Sequence, residues 1–107
     1  MSNLVNKKCV PCEGDTLPVS EKYAREKLTE IGGPWTLVGA QLIAAYSFKD
    51  FKEAFAFVSK VADIAEQEGH HPDISVSYNR VELILTTHAI GGLSENDFIM
   101  AAKINTL

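Results

Sequence analysis

Residues 73–87 read DISVSYNRVELILTT, and the alternation within them decides the fold. Two runs of alternating apolar residues, 73–78 and 81–87, flank Asn79-Arg80, which predicts an antiparallel hairpin. With Asn79-Arg80 as a two-residue loop, Tyr78 faces Val81, Val76 faces Leu83 and Ile74 faces Leu85 on one apolar side. The other side carries Asp73, Ser75, Ser77, Glu82 and Thr86, with Ile84 as the exception. A one-residue slip would mix the two sides, so the pattern supports this pairing. Asn79-Arg80 is not the favoured Asn-Gly, and a longer loop stays open.

Upstream of the hairpin, Asp50 and Glu53 form a capping-box pattern. Phe51, Ala54, Phe55, Val58, Val61, Ala62 and Ala65 then recur at helical spacing until Gly69 stops the run. This helix is expected to be the main apolar ridge of the core. Before it, Trp35 to Val38 and Gln41 to Phe48 read as two short strands, the second with Leu42, Ala44, Tyr46 and Phe48 on one face. Ser20 caps a first helix carrying Ala24, Leu28 and Ile31, which Gly32-Gly33-Pro34 ends. Downstream, Ser94 with Asp97 repeats the capping-box pattern and opens a last helix through Phe98, Ala101 and Ala102. The order α-β-β-α-β-β-α predicts an α+β fold: a four-stranded antiparallel sheet with three helices packed on one face. Residues 1–18, polar and punctuated by Pro11, Gly14 and Pro18, are expected to form an arm, with residues 19–107 a single domain.

A chain of 107 residues builds one core. Its net charge of -4 and lack of any basic run argue against direct nucleic-acid binding. No apolar stretch approaches the roughly 20 residues of a membrane span, and the N-terminus lacks the pattern of a secretory leader. Cys9 and Cys12 are too close together and too early to staple the fold, so they are expected to be reduced in a cytoplasmic protein. As a Cys-x-x-Cys pair they would make half a zinc site, but two further ligands are lacking.

All three histidines lie between residues 70 and 88. Extending the hairpin register sets His71 opposite His88, where paired Cβ atoms stand about 4.5–5.5 Å apart. His70 follows the helix end, and Glu66 lies one turn earlier. A single histidine there is ordinarily a cap or a solvated side chain, but three gathered at the open end of one hairpin point to a functional cluster. Metal-binding helices place two histidines four residues apart, and no such pair exists here. Imidazole titrates near neutrality, so general acid–base work on a small polar substrate, without a metal, is the favoured chemistry.

The run Glu66-Gln67-Glu68-Gly69-His70-His71-Pro72, followed by Tyr78, His88 and Asp97, resembles the signature of the pterin-4a-carbinolamine dehydratases, and Gly92-Leu93 with Asn96-Asp97-Phe98 is similar to their microbial branch. Trp35 and Phe48-Lys49-Asp50-Phe51 also resemble that family, extending the likeness from Ser20 to about Ile104. The resemblance implies elimination of water from 4a-hydroxytetrahydrobiopterin to quinonoid dihydrobiopterin, which recycles the cofactor of aromatic amino-acid hydroxylases. It implies His70, His71 and His88 as catalytic residues, His70 and His88 as the acid–base groups and His71 orienting the pterin and contributing to catalysis. Glu66 and Asp97 would fix imidazoles, Trp35 would form an apolar wall, and Thr87 and Pro72 would support the site. The ordinary alternatives are a solvated helix face for Glu66, a simple cap for Asp97 and a core aromatic for Trp35. The resemblance further implies a homo-oligomer, tetramer or dimer, with no cofactor besides the pterin substrate. Animal members also act as dimerisation cofactors for a transcription factor, so a non-catalytic interaction module is the competing reading. Where the animal branch has an Asp before the histidine pair, this chain has Gly69.

Overall fold

The computed structural model describes residues 4–10 and 17–107; Cys12 therefore lies outside the described residues. Ser20 caps α1 (Glu21–Ile31), its hydroxyl accepting the Tyr23 N–H. Two strands follow, β1 (Thr36–Val38) and β2 (Gln41–Ser47), then α2 (Phe51–Glu68). Strands β3 (Asp73–Ser77) and β4 (Arg80–Leu85) lead through a short 3-10 turn, His88–Ile90, into α3 (Glu95–Ile104). The sheet is antiparallel throughout, in the order β1-β2-β4-β3. The expected α+β architecture is the observed one.

The hairpin register differs from expectation by two residues. Ser77 pairs with Arg80, Val76 with Val81 and Ile74 with Leu83, so the turn is Tyr78-Asn79. Tyr78 adopts a left-handed φ of 50° and is exposed rather than facing Val81. A shift of two leaves every side chain on its own face, so alternation alone cannot detect it. The turn is held from outside the hairpin: Asn79 Nδ2 donates to the Phe48 carbonyl and Phe48 N–H donates to the Asn79 carbonyl.

One sheet face carries Leu42, Ala44, Val81, Leu83 and Leu85, all buried. Strand β4 packs against both α2 and α3, and on α3 Phe98, Ile99, Met100, Ala101, Ala102 and Ile104 are buried. Eight of the ten residues of α3 are buried against three of the 18 of α2, so α3, not α2, is the central ridge. Only Ala54, Val61 and Ala65 of α2 are buried, while Phe51 and Phe55 each remain 50% exposed. The expectation that α2 leads the core fails because its apolar arc is wider than the surface it covers in a single chain.

The N-terminal segment is not a free arm over residues 4–10. Leu4 is buried in the core, and the 3-10 turn Leu4–Asn6 packs against α3. Lys103 Nζ donates to the Val5 carbonyl, and Cys9 N–H donates to Glu68 Oε1 at 2.9 Å. Composition suggested an arm because the anchoring groups belong to α2 and α3, some 60 to 100 residues away in sequence. No helix among the described residues is long and apolar enough to cross a membrane.

Candidate active site

Gly69 ends α2 in the left-handed conformation, its N–H returning to the Ala65 carbonyl. Glycine reaches φ 68° without the Cβ clash that other residues meet, so the chain reverses there and presents His70 and His71 in succession. Pro72 is buried behind them and cannot extend the helix. On the far side, Thr87 forms a bridge with Gly92, which closes the loop bearing His88. The three imidazoles therefore share one cavity of about 390 Å³, within the usual range for small-molecule sites. Thr86 and Thr87 line it beside the histidines, with Val10, Gly69, Ala89 and Asn96 completing the wall.

The best-held imidazole is His70. Its Nε2 lies 2.6 Å from Asp97 Oδ1, and its side chain is 13% exposed. Asp97 is fully buried at the first turn of α3. Its Oδ2 accepts from the Ser94 N–H at 2.9 Å and from Thr87 Oγ1 at 2.8 Å, and Thr87 Oγ1 also lies 2.7 Å from Ser94 Oγ. A buried carboxylate is tolerable when its oxygens are occupied in this way, and the helix N-terminus adds a favourable dipole. The capping box read from the sequence thus also anchors a histidine. An ionised Asp97 takes its hydrogen bond from Nε2–H, and in the neutral ring Nδ1 then carries the lone pair.

His71 Nε2 lies 2.6 Å from Glu66 Oε2, but both side chains are largely exposed, so this pair restrains the ring weakly. His88 is exposed, with Nε2 4.0 Å from Asp73 Oδ2. The expected direct opposition of His71 and His88 does not occur. The observed register sets Asp73 against Ile84, β4 stops at Leu85, and His88 opens a 3-10 turn instead of ending a strand. The histidines converge through loop closure rather than strand pairing.

Trp35 is not a wall of this cavity. It is 6% exposed in the core, and its indole N–H donates to Asn105 Oδ1 at 2.9 Å. Asn105 caps the C-terminus of α3, about 12 Å along the helix from Asp97. Val10 and Asn96 were missed as site residues. The sequence could not pick them out as such, since Val10 N–H donates to Asn96 Oδ1 across 86 positions. Among the described residues no group of three His, Cys, Asp or Glu side chains is arranged to hold a metal ion.

Residues 17–107 match the family model described as Pterin 4 alpha carbinolamine dehydratase. A Nitrosospira multiformis protein named "Putative pterin-4-alpha-carbinolamine dehydratase" is 47% identical over 107 residues, covering 100% of this chain and 94% of the relative. Pterin-4-alpha-carbinolamine dehydratase 2, mitochondrial, of Arabidopsis thaliana is 45% identical, over 100% of this chain and 60% of its own length. A crystal structure of a transcriptional coactivator/pterin dehydratase from Brucella melitensis superposes with a TM-score of 0.77 at 35% identity, covering 83% of this chain and 96% of that one.

Proposed function

The chain belongs to the pterin 4 alpha carbinolamine dehydratase family and is a hydro-lyase, and we propose that its substrate is 4a-hydroxytetrahydrobiopterin. Loss of water, the hydroxyl from carbon 4a and the proton from N5, gives quinonoid dihydrobiopterin, which a separate two-electron reduction outside this protein returns to the tetrahydropterin used by an aromatic amino-acid hydroxylase. The observation that carries this reading is the His70–Asp97 pair set in a cavity shared with two further histidines.

Elimination requires one proton delivered to the departing hydroxyl and one removed from N5. Neutral His70, with Nε2–H donated to Asp97, offers the Nδ1 lone pair to the N5 proton, and the buried carboxylate stabilises the imidazolium that forms. His88, less restrained and more exposed, protonates the hydroxyl, and the C4a–O bond breaks as the C4a–N5 double bond forms. His71, steadied by Glu66, orients the pterin ring. Thr87 holds Asp97 in place, and Pro72 supports the histidine pair. Both proton transfers use imidazoles, so the reaction asks for neither metal nor additional cofactor. We place the enzyme in the cytoplasm, where Cys9 stays a thiol. Stopped-flow decay of freshly generated carbinolamine tests the proposal: purified protein should accelerate it, and decay at the spontaneous rate would refute it.

Phe51 and Phe55, with ring centroids 5.6 Å apart and each 50% exposed, favour a homo-oligomer, dimer or tetramer, built on α2. The same surface supports the second reading, a dimerisation cofactor for a transcription factor, in keeping with the coactivator named for the Brucella protein. It uses none of the histidines, so the two roles separate experimentally: Phe51→Asp should abolish partner binding while dehydration persists.

A further inference from the structure

The geometry points to Val10 as a substrate-positioning residue of this site, the apolar wall on which a flat pterin ring rests while the histidines act. The inference depends on the pterin reading above.

Val10 is fixed from both sides by a single side chain. Its N–H donates to Asn96 Oδ1 at 3.0 Å, and Asn96 Nδ2 donates back to its carbonyl at 2.5 Å. Asn96 is 4% exposed and adjoins Asp97, so the residue that holds Val10 and the residue that holds His70 are neighbours on one helical turn. Glu68 supports the same strap by accepting the Cys9 N–H, while Lys103 approaches Glu68 at 3.8 Å and binds the Val5 carbonyl. Polar groups of two helices are thus committed to the backbone of residues 5–10.

What this anchoring leaves uncovered is telling. Val10 is 63% exposed although its backbone is clamped, and it lines the histidine cavity. Among the residues lining that cavity it is the one branched aliphatic, Ala89 being the other apolar side chain. Trp35, the aromatic expected there, sits in the core at the other end of α3. A planar heterocycle needs an apolar surface to lie against if nearby imidazoles are to meet fixed atoms of its edge. The strap lies before residues 17–107, which the family model matches.

The test is steady-state dehydration of 4a-hydroxytetrahydrobiopterin by wild type, Val10→Ala, Val10→Ile and Asn96→Ala. Because Val10 is exposed, Val10→Ala should melt with the wild type. Its KM should rise about fivefold, from two methyl groups in partial contact with the ring, with kcat changed less than about twofold. Val10→Ile should restore the KM, and Asn96→Ala should raise it by releasing the clamp. An active Val10→Ala enzyme with wild-type KM would overturn the inference alone. Wild-type protein that does not accelerate dehydration would overturn the functional reading, and this inference with it.

Discussion

Replacing Asp97 by Asn changes one oxygen into an NH2 group, and the surroundings dictate which. The Ser94 N–H cannot accept a hydrogen bond, so the amide oxygen must take the position of Oδ2, where Ser94 N–H and Thr87 Oγ1 donate to it. The NH2 then faces His70 Nε2 at the 2.6 Å site and needs a lone pair there. His70 must shift its proton to Nδ1, the nitrogen the mechanism assigns to N5. Three hydrogen bonds lose a charged acceptor; a charge-assisted bond contributes about 1.5–3 kcal/mol against about 0.5–1.5 for a neutral one. Each bond thereby loses about 1–1.5 kcal/mol, which is about 3–4.5 kcal/mol over the three. For a domain of this size that lowers Tm by roughly 10–20 °C. The folded fraction should lose about 10²-fold in kcat, the lower end for a displaced base because carbinolamines also dehydrate unaided. Imidazole ¹⁵N shifts should report the Nε2–H tautomer in wild type and Nδ1–H in the variant, with urea unfolding giving the stability. A folded Asp97→Asn protein with wild-type kcat, or one whose His70 keeps Nε2–H, would refute the reasoning.

His70→Gln and His88→Gln should each cost about 10²-fold in dehydration rate, and the double variant more than either but less than their product; circular dichroism should show an unchanged fold. Activity should survive exhaustive chelation, and recovery only on adding zinc would reverse the acid–base reading. Light scattering should return a multiple of the 11.7 kDa chain mass, and Phe51→Asp with Phe55→Asp should reduce it to one chain. Burial pushes the Tyr46 hydroxyl up to about 12 from its ordinary 10.0. Its folded form therefore resists ionisation that the unfolded chain undergoes, so the associated stability is whole below pH 10 and is lost as pH rises toward 12. The urea midpoint should therefore be lower near pH 11 than near pH 9, and the difference should be smaller in a Tyr46→Phe variant.

The sequence by itself determined the elements and their faces. Ser20, Asp50 and Ser94 start their helices as capping chemistry requires, and Gly69 ends α2. Alternation assigned the inward residues of β2 and β4 because a half-buried strand must repeat every two positions. It also assembled the histidines into one site, though by a register two residues out. Periodicity is blind to an even shift, and only the contact between Asn79 and Phe48 locks the turn. The sequence could not rank α3 above α2 in the core, since burial depends on what lies on every side of a helix. Nor could it distinguish Trp35 as core from Trp35 as wall, because both readings ask for the same aromatic residue. Val10 and Asn96 could not be picked out as site residues: two hydrogen bonds spanning 86 positions exist only once α3 has been placed beneath the N-terminal strap. Tertiary structure alone decided which imidazole is anchored, because the buried carboxylate that holds His70 belongs to a helix 27 residues further along the chain.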